Sequence, residues 1–332
     1  MTAPSLALSL FLGLLLGLAA AVSLSVGPEG LPFSGELLAL SRAQPELALT
    51  ILTEIRLPRV ALGILVGATL GLAGAALQGL LRNPLVEPGL IGVSSGATLG
   101  AVIAIYFGLS AQFALFLPLG GVLGALLALL LLFAVAGRDP ASLTLILAGV
   151  AIGSFATALT SLALNLAPSP FAALEIVFWM LGSLADRSLD HLWLAGPPIL
   201  LGCALIASSG RALEALTLGE DTASSLGFDL AAVKRRVIGG AALAVGAAVA
   251  VTGIIGFVGL VVPHLLRPLV GQHPRRLLLP SALGGALLLT LADIASRLLS
   301  GDQELKLGVL TAIIGAPFFL HLMVKLRRGA RI

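Results

Sequence analysis

The sequence predicts an all-α integral membrane protein with about ten transmembrane helices. Of its 332 residues, 58% are hydrophobic and 11% are charged, whereas a soluble domain is typically about 25% charged. Apolar stretches of about 20 residues, the length that crosses a hydrocarbon core of about 30 Å, recur along the chain. The longest polar stretches, 27–59 and 209–236, are too short for an independent core. We therefore interpret residues 1–332 as a single transmembrane domain.

Ten apolar stretches have the length expected of spans. They are 6–26, 60–81, 90–109, 113–135, 143–166, 192–208, 237–255, 257–270, 277–299 and 307–324. The eighth is short and contains Pro263 and Pro268, and residues 171–184 could form a re-entrant segment, so nine and eleven spans stay open. No basic residue precedes the first span, which favours a retained helix over a signal peptide.

Basic residues fall mainly on one side of this topology. The side that holds both termini carries thirteen Lys and Arg against six acidic residues, a formal charge of +7. The opposite side carries six basic against ten acidic residues, a formal charge of −4. Because basic loops stay in the cytoplasm, we predict a multi-pass protein with both termini cytoplasmic. The basic balance reflects this topology, and no nucleic-acid partner is predicted.

Small residues recur at every fourth position of the second span: Gly63, Gly67, Gly71, Ala75 and Gly79. This spacing lines one helix face and lets another backbone approach closely, so we predict this helix at the centre of the bundle. A similar series lies 177 residues later, at Gly240, Ala244, Ala248, Thr252 and Gly256. Each series follows an arginine by four residues, Arg59 and Arg236. Copies five spans apart have opposite orientations, which predicts an inverted repeat of five plus five spans. The alternative is coincidence in a chain with 40 glycines.

Residues 92–96 match the G-x-S-x-G pattern of a nucleophilic serine. That motif needs a preceding strand, a following helix, and a histidine and an acid nearby. Here Pro84 and Pro88 precede the pattern, and none of the four histidines is placed as an obvious base. We favour small residues that let a helix start at close quarters, and we predict no catalytic or metal-ligating residue. An intramembrane hydrolase using Ser94 or Ser95 is the minor alternative.

The chain carries no obvious energy source for transport. Ion-driven carriers place ionisable residues near the bilayer midplane, whereas Asp293 and Glu175 lie towards span ends. Asp293 also has Arg297 at i+4, the spacing of a local ion pair. A P-loop needs Gly-Lys before Ser or Thr, and the three lysines follow Val or Leu. A secondary transporter is therefore disfavoured, and any ATP must be hydrolysed by a partner.

Residues 218–229, "LGEDTASSLGFD", are predicted to form a short helix of about two turns on the cytoplasmic side. Glu220 and Asp221 favour a helix N-terminus electrostatically, and Gly227 suits the left-handed C′ position. The helix is either an ordinary connector or a peg that fits a cytoplasmic partner.

Six segments, in order, resemble the FecCD family over nearly the whole chain. They are "RLPRVALGILVGATLGLAGAALQGLLRNPLVEPGLIGVSSGA" (56–97), "LILAGVAIG" (145–153), "LGEDTASSLG" (218–227), "GFVGLVVPHLLR" (256–267), "LLLTLADIASRL" (287–298) and "LGVLTAIIGAPFFLHLM" (307–323). These permeases of type II ABC importers take up iron-siderophores, haem and vitamin B12. The resemblance implies ten spans, a bacterial inner-membrane location, a homodimer with the pathway at its interface, two ATPase subunits that bind ATP and Mg, and a periplasmic binding protein.

The resemblance also implies roles for particular residues. Arg56, Arg59 and Arg297 match outer-face arginines that pair with acidic residues of the binding protein. Asn83 and Leu85, with Ser142, match positions around a cytoplasmic gate. The segment 218–229 matches the coupling helix that docks on the ATPase, with these positions: Gly219, Glu220, Asp221, Ala223, Leu226 and Gly227.

The cargo is not fixed by the sequence. The outer stretch 166–191 differs among members of the family that the chain resembles, so siderophore, haem and cobalamin all stay open. An apolar pathway with few charges is expected, since conduction requires binding weak enough for release.

Overall fold

The structure is a computed structural model and describes residues 3–26, 44–137, 141–299 and 305–329. Its main helices are α1 (Ala3–Ser25), α2 (Pro45–Leu80), α3 (Val93–Tyr106), α4 (Phe116–Ala136), α5 (Ser142–Asn165), α6 (Pro170–Met180), α7 (Leu189–Ser208), α8 (Gly210–Ala215), α9 (Glu220–Ser225), α10 (Leu230–Thr252), α11 (Val258–Leu266), α12 (Pro274–Leu299) and α13 (Leu307–Gly329). Helix α2 includes a π-helical segment, Ile51–Arg56. The predicted fold class is confirmed, because the described residues form helices and no strand.

Each of the ten predicted spans coincides with a helix. Within the described ranges, seven helices are long and apolar enough to cross a membrane by themselves: α1, α2, α4, α5, α7, α10 and α12. The outer and inner sides named below are those predicted from the distribution of basic residues. Helix α6 has 11 residues, about 16 Å, and so does not cross. The turn after it packs on the end of α10, where Ser183 N donates to Thr252 O (2.8 Å).

Helices α3 and α11 are shorter than the predicted spans 90–109 and 257–270. They have 14 and 9 residues, about 21 and 14 Å. Both begin inside the bundle. Gly259, in the first turn of α11, lies against Pro88, which precedes α3, and against the Leu70 carbonyl. Leu70 lies ten residues before the inner end of α2 at Leu80. The chain reaches both starting points as irregular backbone, which a bilayer tolerates only where protein covers it.

The two predicted ladder helices, α2 and α10, are the most buried of the long helices. A Cβ at Gly67 or Gly71 would overlap the backbone of Gly285 or Ser281 in α12. In α10, a Cβ at Gly240 would lie 2.7 Å from the Gly202 carbonyl oxygen of α7. The ladders therefore allow backbone-to-backbone packing, as their spacing predicted.

The starts of α3 and α11 correspond in the way that the predicted inverted repeat requires. Each follows one ladder helix and an irregular segment, and each begins after a residue with left-handed backbone, Gly92 (φ 79°) and Phe257 (φ 66°). The repeat itself stays a prediction.

Candidate functional site

An ion-pair cluster joins α2 and α12 at the outer side. The Asp293 carboxylate accepts from Arg59 Nη2 (2.9 Å) and from Arg297 Nη2 (2.9 Å), which confirms the local ion pair predicted for Asp293. Asp293 and Arg297 are only 3% and 5% exposed. Two arginines around one carboxylate compensate its burial, because a buried charge is tolerated only when it is paired.

The predicted docking arginines differ in accessibility. Arg297 Nη1 donates to the carbonyls of Ser23 and Val26 at the end of α1 (both 2.9 Å), so its guanidinium is occupied within the protein. Arg56 Nη1 donates to Leu24 O (2.8 Å), and both Arg56 and Arg59 are partly exposed. The docking role of the three residues stays a prediction.

Arg187 lies on the outer side and was not identified from the sequence. It belongs to the turn between α6 and α7, and its Nε has no hydrogen-bond partner in the described part of the chain. Burial lowers the pKa of Arg187, and the neighbouring Asp186 carboxylate opposes this shift. An arginine in a loop contributes nothing to helix periodicity, so the sequence pattern does not indicate it.

The loop between α2 and α3, residues 81–92, contains the predicted gate residues Asn83 and Leu85, and we call it the gate loop. It folds back into the bundle from the inner end of α2. Asn83 Oδ1 accepts from Leu85 N (3.0 Å), a side-chain turn that bends the chain. Asn83 N donates to Gln78 O (3.1 Å), so the loop starts on the last turn of α2. Ser142, the third predicted gate residue, is the first residue of α5.

A second feature of this loop was not predicted. Gln78, 1% exposed, donates from Nε2 to Val86 O and to Gly259 O (both 3.2 Å) and accepts from Arg267 Nη2. A polar residue inside an otherwise small and apolar helix was the available signal. The small residues of the ladder dominate the sequence pattern of that helix.

The short helix predicted within 218–229 is present as α9. Glu220 and Asp221 occupy its first turn. Gly227 has φ 88°, and Phe228 N donates to Ala223 O (3.2 Å) while Gly227 N donates to Ser224 O (2.9 Å). This is the hydrogen-bond pattern of a helix end with a left-handed glycine.

Helix α9 is held to α10 on one side and exposed on the other. Ala223 is fully buried, and Leu226 is 60% exposed. The Lys234 ammonium of α10 lies 3.5 Å from Glu220 Oε2, and the Lys234 side chain is buried. Gly219, at the start of α9, has φ 107°, which favours glycine.

A groove of about 530 Å³ runs along α5 from the loop after α2. Its lining residues are small, apolar or hydroxylic, and those in the described chain carry no charge: Gly89, Leu90, Ser95, Gly149, Val150, Gly153, Ser154, Thr157, Ala158 and Ser161. Several of its hydroxyls bond their own helix, as Thr157 does to Gly153 O (2.8 Å).

The serine pattern serves helix packing. The segment follows a 3-10 turn, Pro88–Ile91, and not a strand. A Cβ at Gly96 would lie 2.5 Å from Ala128 Cβ and 2.7 Å from Gly124 O of α4. The pattern therefore lacks the strand that a nucleophile elbow needs, and its small residues let α3 start against α4.

Long apolar helices that pack through glycine define a polytopic membrane bundle. The model of the FecCD transport family matches residues 14–325. The chain belongs to this family, and it is a permease of the ABC type.

Individual relatives agree with this placement. The uncharacterised ABC transporter permease protein YvrB of Bacillus subtilis is 43% identical over 85% of this chain and 80% of its own. The vitamin B12 import system permease protein BtuC of Vibrio cholerae is 43% identical over 82% of each chain. A solved structure described as an inward-facing metal-chelate type ABC transporter superimposes with a TM-score of 0.85 at 36% identity, covering 96% of this chain and 98% of the other.

Proposed function

We propose that this chain is the membrane-spanning subunit of an importer that moves an iron chelate (siderophore or haem) or cobalamin across the bacterial inner membrane. The observation that carries the proposal is 41–43% identity to BtuC permeases over more than four fifths of the chain. The similarity to a metal-chelate type transporter extends the cargo class beyond cobalamin.

The working unit in this proposal contains two copies of the chain, two ATPase subunits and a periplasmic binding protein. ATP and Mg bind to the ATPases, since no lysine of this chain stands in a P-loop. The exposed face of α9, with Leu226 and the acidic first turn, is suited to dock on an ATPase. Because the pair of Glu220 with Lys234 ties α9 to α10, a push on α9 would move α10.

On the outer side, Arg56 and Arg59 would meet acidic residues of the binding protein, because both are partly exposed. Arg297 would act in docking by fixing the end of α1 and Asp293, since its guanidinium is engaged there. Cargo would pass along the α5 groove, with Asn83, Leu85 and Ser142 around the inner gate. Alternating access would open the outer and inner gates in turn.

The test is uptake into proteoliposomes that contain the permease, its ATPase and its binding protein. Labelled cobalamin, haem and a ferric siderophore are offered separately, and we expect ATP-dependent uptake of one of them. Glu220→Lys with Asp221→Lys should abolish copurification of the ATPase. The matched control, Glu214→Lys, changes a half-exposed inner carboxylate outside α9 and should leave it intact. Uptake driven by an ion gradient without ATP, or complex formation unaffected by the double variant, would contradict the proposal.

A further inference from the structure

Helix α11 lacks one of its internal backbone hydrogen bonds. In an α-helix the carbonyl of residue i accepts from the N–H of residue i+4, and the residue four after Gly259 is Pro263, which has no N–H. The Gly259 carbonyl, in the first turn of α11, is therefore left without a helical donor. In the interior of a membrane protein such a group must find another partner.

Gln78 of α2 supplies that donor. Its Nε2 donates to Gly259 O and to Val86 O of the gate loop, and its Oε1 accepts from Arg267 Nη2 just beyond α11. A side-chain amide has two donor hydrogens and one acceptor oxygen, and all three groups are used. Because Gln78 is 1% exposed, losing any of these bonds would leave a buried polar group unpaired.

Glu87 makes a second connection of the same kind. Its Oε1 accepts from Phe257 N, an amide at the N-terminus of α11 that has no partner within the helix. A carboxylate here also interacts favourably with the helix dipole. The gate loop also packs directly on α11. Pro88 lies so close to Gly259 that a Cβ at Gly259 would overlap the proline ring.

We propose that Gln78 and Glu87 are positioning residues that fasten the gate loop to the first turn of α11, so that the loop opens only when α11 moves. The proposal rests on the proposed function in taking this loop as the inner gate. Gly315 of α13 packs directly on Phe257. A movement of α13 would therefore reach the gate loop through Phe257 and its hydrogen bond to Glu87.

The test measures how accessible the loop is in the resting permease. The chain has one cysteine, Cys203, so a Cys203→Ser background with Leu85→Cys gives a single reporter in the gate. The full-length permease in lipid nanodiscs is labelled with a fluorescent maleimide without nucleotide. Gln78→Ala and Glu87→Ala should each raise the labelling rate about tenfold, the ratio for loss of one charge-assisted hydrogen bond. Glu87→Gln keeps an acceptor oxygen but loses the charge, so it should raise the rate by only about threefold.

Glu214→Ala is the matched control, because it removes an inner carboxylate that pairs with His273 and lies outside the gate loop. The proposal would be overturned if both alanine variants melted at the same temperature as the parent and were labelled at the same rate. An equal rise in the Glu214→Ala control would overturn it as well.

A second measurement needs no variant at Gln78 or Glu87. In the wild-type permease, the backbone amides of residues 82–92 and of residues 256–262 should exchange with deuterium at rates within about threefold of each other, because the two segments open together. Exchange of the loop more than about tenfold faster than that of α11 would also overturn the proposal. Neither readout uses transport, so failure here leaves the permease function standing. Failure of wild-type uptake would remove that function without altering the labelling result.

Discussion

At the scale of single residues, the outer ion-pair cluster shows why burial and exposure decide a charge's role. Asp293 accepts from two arginines of different helices and is almost completely buried. Removing one partner from a buried ion pair costs more than the pair contributes, because the remaining charge is left uncompensated. We interpret the cluster as a joint that holds α1, α2 and α12 together at the outer side.

Asp293→Asn tests this joint. It keeps the shape of the side chain and leaves two clustered arginines without their shared carboxylate, so we expect a loss of about 3 kcal/mol in unfolding free energy. Thermal unfolding in detergent, followed by circular dichroism, measures the change. The control Glu175→Gln, at an exposed outer position, should shift stability by less than about 0.5 kcal/mol. Equal melting of the two variants would exclude the joint.

Arg56→Glu tests docking more cleanly than Arg59→Glu, which would set a second carboxylate beside Asp293. We expect binding-protein affinity to fall about tenfold and to become less dependent on salt, because exposed charge pairs are screened over about 10 Å at 0.1 M salt. Affinity is measured by surface plasmon resonance at two salt concentrations. Lys306→Glu, an outer charge reversal outside the predicted set, should bind as the wild type does. Wild-type affinity in Arg56→Glu would reject its docking role.

The residues that could be predicted from sequence are those whose role depends on local spacing. The i+4 pair of Asp293 with Arg297 and the left-handed Gly227 both follow from neighbours in the chain. The partners of Gln78 and Glu87 lie up to 189 residues away, and no local pattern indicates them. The burial of Arg297 likewise depends on where α1 ends.

At the scale of helices, close packing between α2 and α12 requires glycine at particular positions, because a Cβ there would overlap the facing backbone. Gly71 faces the Ser281 backbone so closely that a Cβ would overlap it. Gly79, in the same ladder, would place a Cβ 3.4 Å from the Pro274 side chain, an ordinary contact. The ladder positions therefore look alike in sequence, but they differ in whether they can accept a methyl group.

Gly71→Ala should destabilise the permease by about 2 kcal/mol, because backbone has to move to admit the methyl group. Gly79→Ala is the matched control and should be close to neutral, since it adds a methyl group at normal distance and replaces a poor helix former. Both are compared by thermal unfolding in detergent. Indistinguishable melting temperatures would show that the two backbones are not as close as the structure has them.

Lys234→Met should weaken the attachment of α9 to α10. The methionine keeps most of the buried side-chain volume and loses the ion pair with Glu220, so we expect the ATPase still to bind while transport per ATP falls about threefold. Parallel assays of uptake and ATP hydrolysis in proteoliposomes measure this ratio. Arg211→Ala, an exposed inner cation on α8, is the control. An unchanged ratio in Lys234→Met would mean that α9 transmits motion through other contacts.

Hydropathy located all ten helical stretches, overestimated the lengths of α3 and α11, and missed residues 45–59 at the start of α2. The span predicted at 257–270 begins where expected but ends at Leu266, because Pro268 starts a separate 3-10 turn, Pro268–Val270. The span predicted from residue 90 begins only at Val93, because Pro88–Ile91 forms a 3-10 turn that ends at the left-handed Gly92. Composition reports burial in the membrane, and it does not report which buried backbone is helical.

At the scale of the whole molecule, the charge distribution predicts the orientation of the bundle, and a chain with one cysteine makes the orientation directly measurable. In a Cys203→Ser background, Asp190→Cys reports the start of α7 and Leu226→Cys reports the end of α9; both positions are exposed. Because α7 runs between them, they lie on opposite sides. An impermeant maleimide added to spheroplasts should label Asp190→Cys and should reach Leu226→Cys only after permeabilisation, since basic loops are retained in the cytoplasm. The reverse pattern would put α9 outside, where no ATP-hydrolysing partner could reach it, and would remove both the docking face assigned to α9 and the inner position of the gate.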